Sequence, residues 1–404
     1  PGLLGPALHE FLANDLLGGK ARGVLFRILP RQEVSSFLME LQFEEASMRF
    51  DPRLPPLEDL AGTLFWQGDR VWFEDLKGRY RGHPFTQMAT TITQIGRVSL
   101  LEGSFALELS FPELEELLQA VATEKEHSRL LTDVRGESLL ELSLRKALLR
   151  KEPLAYEARI LIKEAWGQLT GVSHPWKVDS GEFLATPERL EVRSLTGLYG
   201  ESAWKLSGTL EKWGEKDPIL DFQGTVDLSQ GDLAILLAYG LAGTEIKGEQ
   251  GTAVEFALSG KPAEATGRIS ADLSDLGLSY GGLWDKPPGD PLRVELLLQG
   301  GLGSSLRLEQ GLVKDGDMSF QMRRLENSTG RGWRVVSEKC PAKGLANRWT
   351  PLKGMLEEGL VGIEARILPE GDPRWEISIT PKDVLVAPSV VGRPLRIHSG
   401  QLFL

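Results

Sequence analysis

The sequence predicts a mainly β protein: an elongated, curved antiparallel sheet of repeating β-groove type with a few short helices. Three observations predict it. Apolar and polar residues alternate with period two through most of the chain, glycine and proline punctuate the alternating runs, and one block of sequence recurs without a gap.

Alternation is clearest at Phe105–Leu107–Leu109–Phe111, where Ala106, Glu108 and Ser110 take the other face. It recurs at Leu140–Leu142–Leu144, Tyr156–Ala158–Ile160–Ile162, Leu220–Phe222–Gly224–Val226–Leu228 and Val254–Phe256–Leu258. Further runs are Leu292–Val294–Leu296–Leu298, Leu306–Leu308 and Trp375–Ile377–Ile379. One apolar and one polar face per strand suit an antiparallel sheet that is wet on one side. The 45 glycines and 23 prolines supply the turns that hairpins and meanders require.

Helical periodicity appears in three places. Residues 7–17 carry Leu8, Phe11, Leu12 and Leu16 on one stripe and stop at Gly18-Gly19. A second helix starts at Pro112 after Ser110 and runs through Leu114, Leu117, Leu118 and Val121. A third covers 230–239, with Leu233, Leu236 and Leu237 on one face. Helices do not alternate with strands, which argues against a parallel βαβ sheet.

The repeat aligns Pro56-Leu57-Glu58-Asp59-Leu60-Ala61-Gly62-Thr63-Leu64-Phe65 with Pro175-Trp176-Lys177-Val178-Asp179-Ser180-Gly181-Glu182-Phe183-Leu184. Downstream, Arg70, Leu76, Gly78 and Tyr80 match Arg189, Leu195, Gly197 and Tyr199, and Val71 and Phe73 match Leu190 and Val192. A third copy begins at Pro394 and keeps the step to Gly400. The expected organisation is one continuous domain: 1–55 as an N-terminal helix and first strands, 56–174 as a β-groove repeat, 175–393 as further repeats, and 394–404 as the start of another. A repeat made of strands and turns extends one sheet edge to edge. Opening on Pro1 and stopping at Leu404 within an apolar pattern, the chain reads as a segment of a longer protein.

The formal net charge of −11 gives no support to nucleic-acid binding, which needs clustered Lys and Arg. Cys340 is the sole cysteine, so no intrachain disulfide and no cysteine-based metal spacing can form. No apolar run reaches the ~20 residues that span a bilayer.

Several stretches look like those of a known family. Met39–Leu41–Phe43, Met48-Arg49-Phe50-Asp51 and Pro55-Pro56-Leu57-Glu58-Asp59-Leu60-Ala61-Gly62-Thr63-Leu64 resemble the central region of AsmA-like proteins, in particular the large YhdP-type members. Leu8-His9-Glu10-Phe11-Leu12 through Lys20, and Ala271-Asp272-Leu273-Ser274-Asp275-Leu276-Gly277-Leu278 with Lys286-Pro287 and Pro291-Leu292, are similar too. The resemblance covers roughly residues 5–325. Two features depart from it: this chain carries no N-terminal membrane helix, and Leu54 stands where relatives often have an aromatic before Pro.

The resemblance implies a groove anchored in the bacterial inner membrane by a part outside this segment, crossing the periplasm and carrying phospholipid acyl chains. Outer-membrane or periplasmic proteins are further implied partners; nucleic acid is not. The residues expected on the groove floor are Val71, Phe73, Leu107, Leu109, Leu190, Val192, Phe222, Val226, Val254, Phe256, Leu258, Val294 and Leu296. Alternation alone also describes a dry core closed by a facing sheet. A different class of function is a scaffold that binds client β-strands at its sheet edges.

No catalytic centre, metal site or cofactor site is expected. Gly277-Leu278-Ser279-Tyr280-Gly281 fits G-x-S-x-G, but Gly282-Leu283-Trp284-Asp285-Lys286-Pro287-Pro288 cannot open the helix that a nucleophile elbow needs. His9, His83, His127, His174 and His398 are dispersed. Acidic runs at Glu113–Glu116 and Glu357-Glu358 suit helix starts or solvated faces. Gly300–Ser305 lacks the Lys-Ser/Thr of a phosphate loop, and Trp66, Trp72, Trp176 and Trp204 fall within strand patterns.

Overall fold

The computed structural model describes residues 13–29, 36–49, 54–85, 87–95, 99–121, 131–148, 154–169, 175–213, 215, 217–234, 244–247, 251–302, 306–327, 330–367, 375–387, 393 and 395–403. It is 75% strand and 8% helix, antiparallel and not closed into a barrel. This is the mainly β class that the alternation predicts. Two compact units form, one from residues 1–197 with 207–219, the other from 198–206 with 220–404.

The first unit is built from β1 (Leu16–Leu29), β2 (Ser36–Met48), β3 (Leu57–Gln67), β4 (Arg70–Tyr80), β5 (His83–Pro84), β6 (Gln87–Thr93) and β7 (Leu100–Ser110), then helix α1 (Phe111–Val121), β8 (Leu131–Ala147), β9 (Ala155–Leu169) and β10 (Trp176–Ala185). Each strand pairs with its sequence neighbour, β6 joining β4 past the two-residue β5. Strands β11 (Arg189–Tyr199) and β12 (Ser202–Glu211) are divided between the units.

Period-two alternation sends Leu107, Leu109, Leu140 and Ile160 to one face, where they join one core with Leu57, Leu60 and Tyr80. These four are 1–2% exposed, so something covers them. Part of the cover is α1, whose Leu114 and Leu117 belong to the same core. A second core holds Trp66, Val71, Ile92, Leu101 and Leu144. Removing such a side chain from water contributes roughly 1.5–3 kcal/mol.

The predicted start of α1 is met within one residue. Ser110 donates from both its N–H (3.0 Å) and its hydroxyl (2.5 Å) to Glu113, which also meets His83 at 2.8 Å. This is the side-chain half of a capping box. Burial pushes the Glu113 carboxyl up, but the Ser110 and His83 hydrogen bonds outweigh it and hold the group below its ordinary value.

The repeat maps onto matching elements, because β3 and β10 start in step and β4 and β11 span matched residues. A Cβ on Gly62 would meet the Cα of Leu76 at 3.2 Å, and one on Gly181 would meet Leu195 Cδ1 at 2.6 Å. The same glycine therefore accommodates the same leucine in both copies. The copies differ in regularity. β2–β3 shifts register twice near Ala46, whereas β9–β10 runs without a shift.

The expected helix over 7–17 is corrected in part. Residues 1–12 lie outside the described residues, and 13–14 are helical, but Leu16, Leu17, Gly18 and Gly19 belong to β1. Pairing of Leu16 with Met48 takes this stretch into the sheet. Gly19 (φ +151°) sits at a bulge, where a Cβ would come within 2.9 Å of the Ala46 methyl.

The second unit contains β13 (Ile219–Leu228), β14 (Thr244–Lys247), β15 (Thr252–Lys261), β16 (Glu264–Asp272), β17 (Gly277–Tyr280), β18 (Trp284–Lys286), β19 (Leu292–Gly300), β20 (Arg307–Asp315), β21 (Met318–Asn327) and β22 (Gly330–Pro341). Helix α2 (Ala342–Arg348) and a 3-10 turn (Thr350–Leu352) follow, then β23 (Leu356–Ile367), β24 (Trp375–Val386), β25 (Leu395–Ser399) and β26 (Leu402–Phe403). The main ladder runs β13–β15–β16–β19–β20–β21–β22–β23–β24, and β25 and β26 both pair with β24. β14, β17 and β18 leave it to form a separate three-stranded sheet.

Two cores sit in this unit. Leu233, Leu276, Leu278 and Leu292 form one, and Met318, Cys340, Leu345, Val361 and Val384 form the other beside α2. The expected helix over 230–239 is seen at 230–234, and its remainder lies outside the described residues.

Candidate functional site

Directly opposed residues in antiparallel strands share a face, so register defines surfaces. In the second unit one line runs Gly224–Phe256–Ile269–Leu296–Gly311–Met322–Val335–Ala365–Ile377 across nine strands. A parallel line carries Val226, Val254, Ala271, Val294, Val313 and Phe320. A third carries Phe222, Leu258, Gly267, Leu298 and Leu308. With strands ~4.8 Å apart, the first line is ~38 Å long along the strand-to-strand direction.

The large side chains on these lines are half-buried. Phe222, Val226, Val254, Phe256, Leu258, Ile269, Val294 and Leu296 belong to none of the four packed cores. Where the floor is covered, its own neighbours do it. A Cβ on Gly224 would meet the Phe256 ring at 2.6 Å, and one on Gly311 would meet Leu296 at 3.3 Å and Met322 at 3.4 Å. Large side chains therefore lie down over glycines of the adjoining strand.

The floor has a charged border. The register shift at Leu297/Leu298 leaves Glu309 as an extra residue, and Arg324 donates to it at 3.1 Å. Arg324, 9% exposed at its side chain, stands opposite Trp333. On the reverse face polar residues prevail, including Glu255 with Ser270 and Arg334 with Glu364.

The predicted floor residues divide between the units. Val71, Leu107, Leu109 and Val192 are buried, and Phe73 and Leu190 pack against closed cores of the first unit. Phe222, Val226, Val254, Phe256, Leu258, Val294 and Leu296 come together on the half-buried face of the second. Sequence reasoning missed Ile269 and Met322 on that face. Glycine and alanine beside Ile269 dilute the alternation, and Arg323-Arg324 follows Met322. It also missed Arg324, a charge that regular alternation from Met322 places on the apolar face.

Other candidates have ordinary surroundings. Ser279 lies in β17, donates to Glu245 at 3.4 Å, and is followed by a turn and β18. His83 meets Glu113, and His398 meets Asp383 at 2.6 Å, whereas His9, His127 and His174 lie outside the described residues. Burial pushes the Cys340 thiol up to about 11, with the Asp315 charge adding to it. Among the described residues no group of three or more His, Cys, Asp or Glu is placed to hold a metal ion, and no helix is long and apolar enough to cross a membrane.

Lys286 is fully buried and donates to the carbonyls of Ser274 (2.8 Å), Leu276 (2.6 Å) and Pro287 (3.2 Å). Nearby, Arg348 grips Asp315 at 2.9 Å and Asp290 at 2.5 Å. Both arrangements fasten the loop between β16 and β19.

No family model matches the chain, and neither a characterised protein nor a solved structure matches it.

Proposed function

We propose that the second unit shelters hydrocarbon chains on its apolar floor, and that the chain is a segment of an AsmA-like envelope protein carrying phospholipid between the inner and outer membranes. The observation that supports this reading is the apolar line from Phe256 through Ile269 and Leu296 to Met322, none of whose side chains joins a packed core. Apolar surfaces beyond a few hundred Å² are rarely left bare in water, and each sheltered methylene contributes ~0.8 kcal/mol. The reading requires no titrating group. Chains slide over near-equal sites while headgroups stay wet at the rim. A periplasmic location and an inner-membrane anchor outside the segment belong to the same proposal.

Lipid extraction and native mass spectrometry of the chain purified from bacteria test it. Phospholipid should copurify, and Phe256→Asp should abolish that while the protein stays folded, because a half-buried carboxylate still reaches water. Wild-type protein free of lipid would sink the reading.

A second reading, a scaffold for client strands, draws on β1. Among the described residues β1 pairs only with β2, and its Val24, Phe26 and Ile28 are 52%, 65% and 76% exposed. A client strand needs that backbone edge, whereas a lipid does not. Phe26→Pro should therefore abolish client capture and spare lipid binding.

A further inference from the structure

The reverse face of the second unit carries a line of arginines. Register sets Arg268 opposite Leu297, Leu297 opposite Gln310, Gln310 opposite Arg323, and Arg323 opposite Arg334. Opposed side chains stand ~4.5–5.5 Å apart at Cβ, and like charges placed so repel. Arg334 has its own counter-charge, donating to both Glu364 oxygens at 3.0 and 3.1 Å. Arg268 and Arg323 make no ion pair among the described residues. These two flank a cleft of about 320 Å³ whose lining includes Glu295, Leu297, Gln310 and Gln321.

In a chain of net charge −11, two guanidinium groups without carboxylate partners on one cleft are out of character. We propose that the cleft is an oxyanion site that takes the phosphate group of a monoester. Guanidinium forks match phosphate oxygens bidentately, and an anion in the cleft supplies Arg268 and Arg323 with a counter-charge. Gln310 and Gln321 add neutral donors, while Leu297 offers apolar surface to an organic substituent. Glu295 repels a second negative group, so the site suits one phosphate rather than a polyanion. A soluble phosphate ester and a lipid headgroup present the same chemistry. The site lies on the face opposite the hydrocarbon floor and does not depend on that reading.

The test is calorimetric titration of the full chain with inorganic phosphate and glycerol phosphate, and cosedimentation with phosphatidylglycerol vesicles, at low and high salt. Binding to at least one probe is expected, weakening as salt rises. Arg268→Gln and Arg323→Gln should each weaken it tenfold or more. Arg307→Gln, an exposed arginine outside the cleft, should leave it unchanged. Binding of the soluble probes assigns the site to a free ester; binding of vesicles alone assigns it to a headgroup. No binding to any probe, or an equal loss in Arg307→Gln, overturns the proposal.

Discussion

Leu107 and Phe256 hold equivalent places in their sequence patterns, each the middle of an apolar run on alternate residues. Leu107 is 1% exposed inside a core that α1 helps to close, whereas Phe256 is half-buried and rests on Gly224. The strands are alike and the cover differs. In the first unit β7 runs directly into α1, whose Leu114 and Leu117 join the core. In the second, Leu233 joins a core with Leu276, Leu278 and Leu292, and the lines through Phe256 and Ile269 lie outside it. Whether an apolar sheet face is structural or available to a ligand is therefore decided by what packs over it.

Aspartate substitution probes that distinction most sharply. Leu140→Asp places a carboxylate where the native side chain is 2% exposed, and a loss of about 4 kcal/mol or more is expected. Phe256→Asp should cost less than about 2 kcal/mol, because its site reaches solvent. Urea unfolding followed by circular dichroism measures both, and equal losses would erase the distinction between the units.

Lys286 offers a middle-sized effect within the second unit. Lys286→Met leaves three loop carbonyls without their donor, at a cost of about 1–3 kcal/mol at pH 7. Burial lowers the Lys286 pKa, with the Arg348 charge acting in the same direction. The unfolded chain therefore binds this proton more tightly. The penalty for burying the charge is present below the folded pKa and is relieved as pH rises through it toward the unfolded value of ~10.4. The stability of wild type relative to Lys286→Met should rise over that alkaline window, and a flat difference would contradict the assignment.

The smallest effect concerns the cover of the first unit. Glu113→Gln removes charge from the α1 cap and should cost about 1 kcal/mol or less at neutral pH. Its folded pKa is depressed, so the contribution is complete above the unfolded value of ~4.3 and lost as pH falls through the folded one. Acid titration of stability should be shallower in Glu113→Gln than in wild type; parallel curves would remove Glu113 from the cap.

Strand positions were legible because period two needs only residue identity. The runs around Leu107, Ile160, Phe256 and Leu296 all lie in strands. The repeat was legible through Gly62 and Gly181, whose spacing from Leu76 and Leu195 survives as a close contact. Cover was not, since burial of Leu107 depends on residues contributed from elsewhere in the fold. Leu16 and Leu17 misled for a related reason. Leu16 fits a helical stripe, yet its partner Met48 lies in another strand and decides its conformation. A bulge set Leu308 opposite Leu298 and left Glu309 over, shifting parity where no motif announces it.

The pairing of strands with their near neighbours in sequence bears on how the chain assembles. Short loops close at little entropic cost, and each hairpin offers the next strand a finished edge. Order can then spread outward from any early hairpin, with no distant segment awaited. The exceptions are the excursions through β14, β17 and β18, where Thr244 must find Tyr280 across the intervening β15–β16 hairpin. That small sheet is the slow step such a topology predicts, and the Lys286 and Arg348 contacts beside it are the locks that set once it has formed.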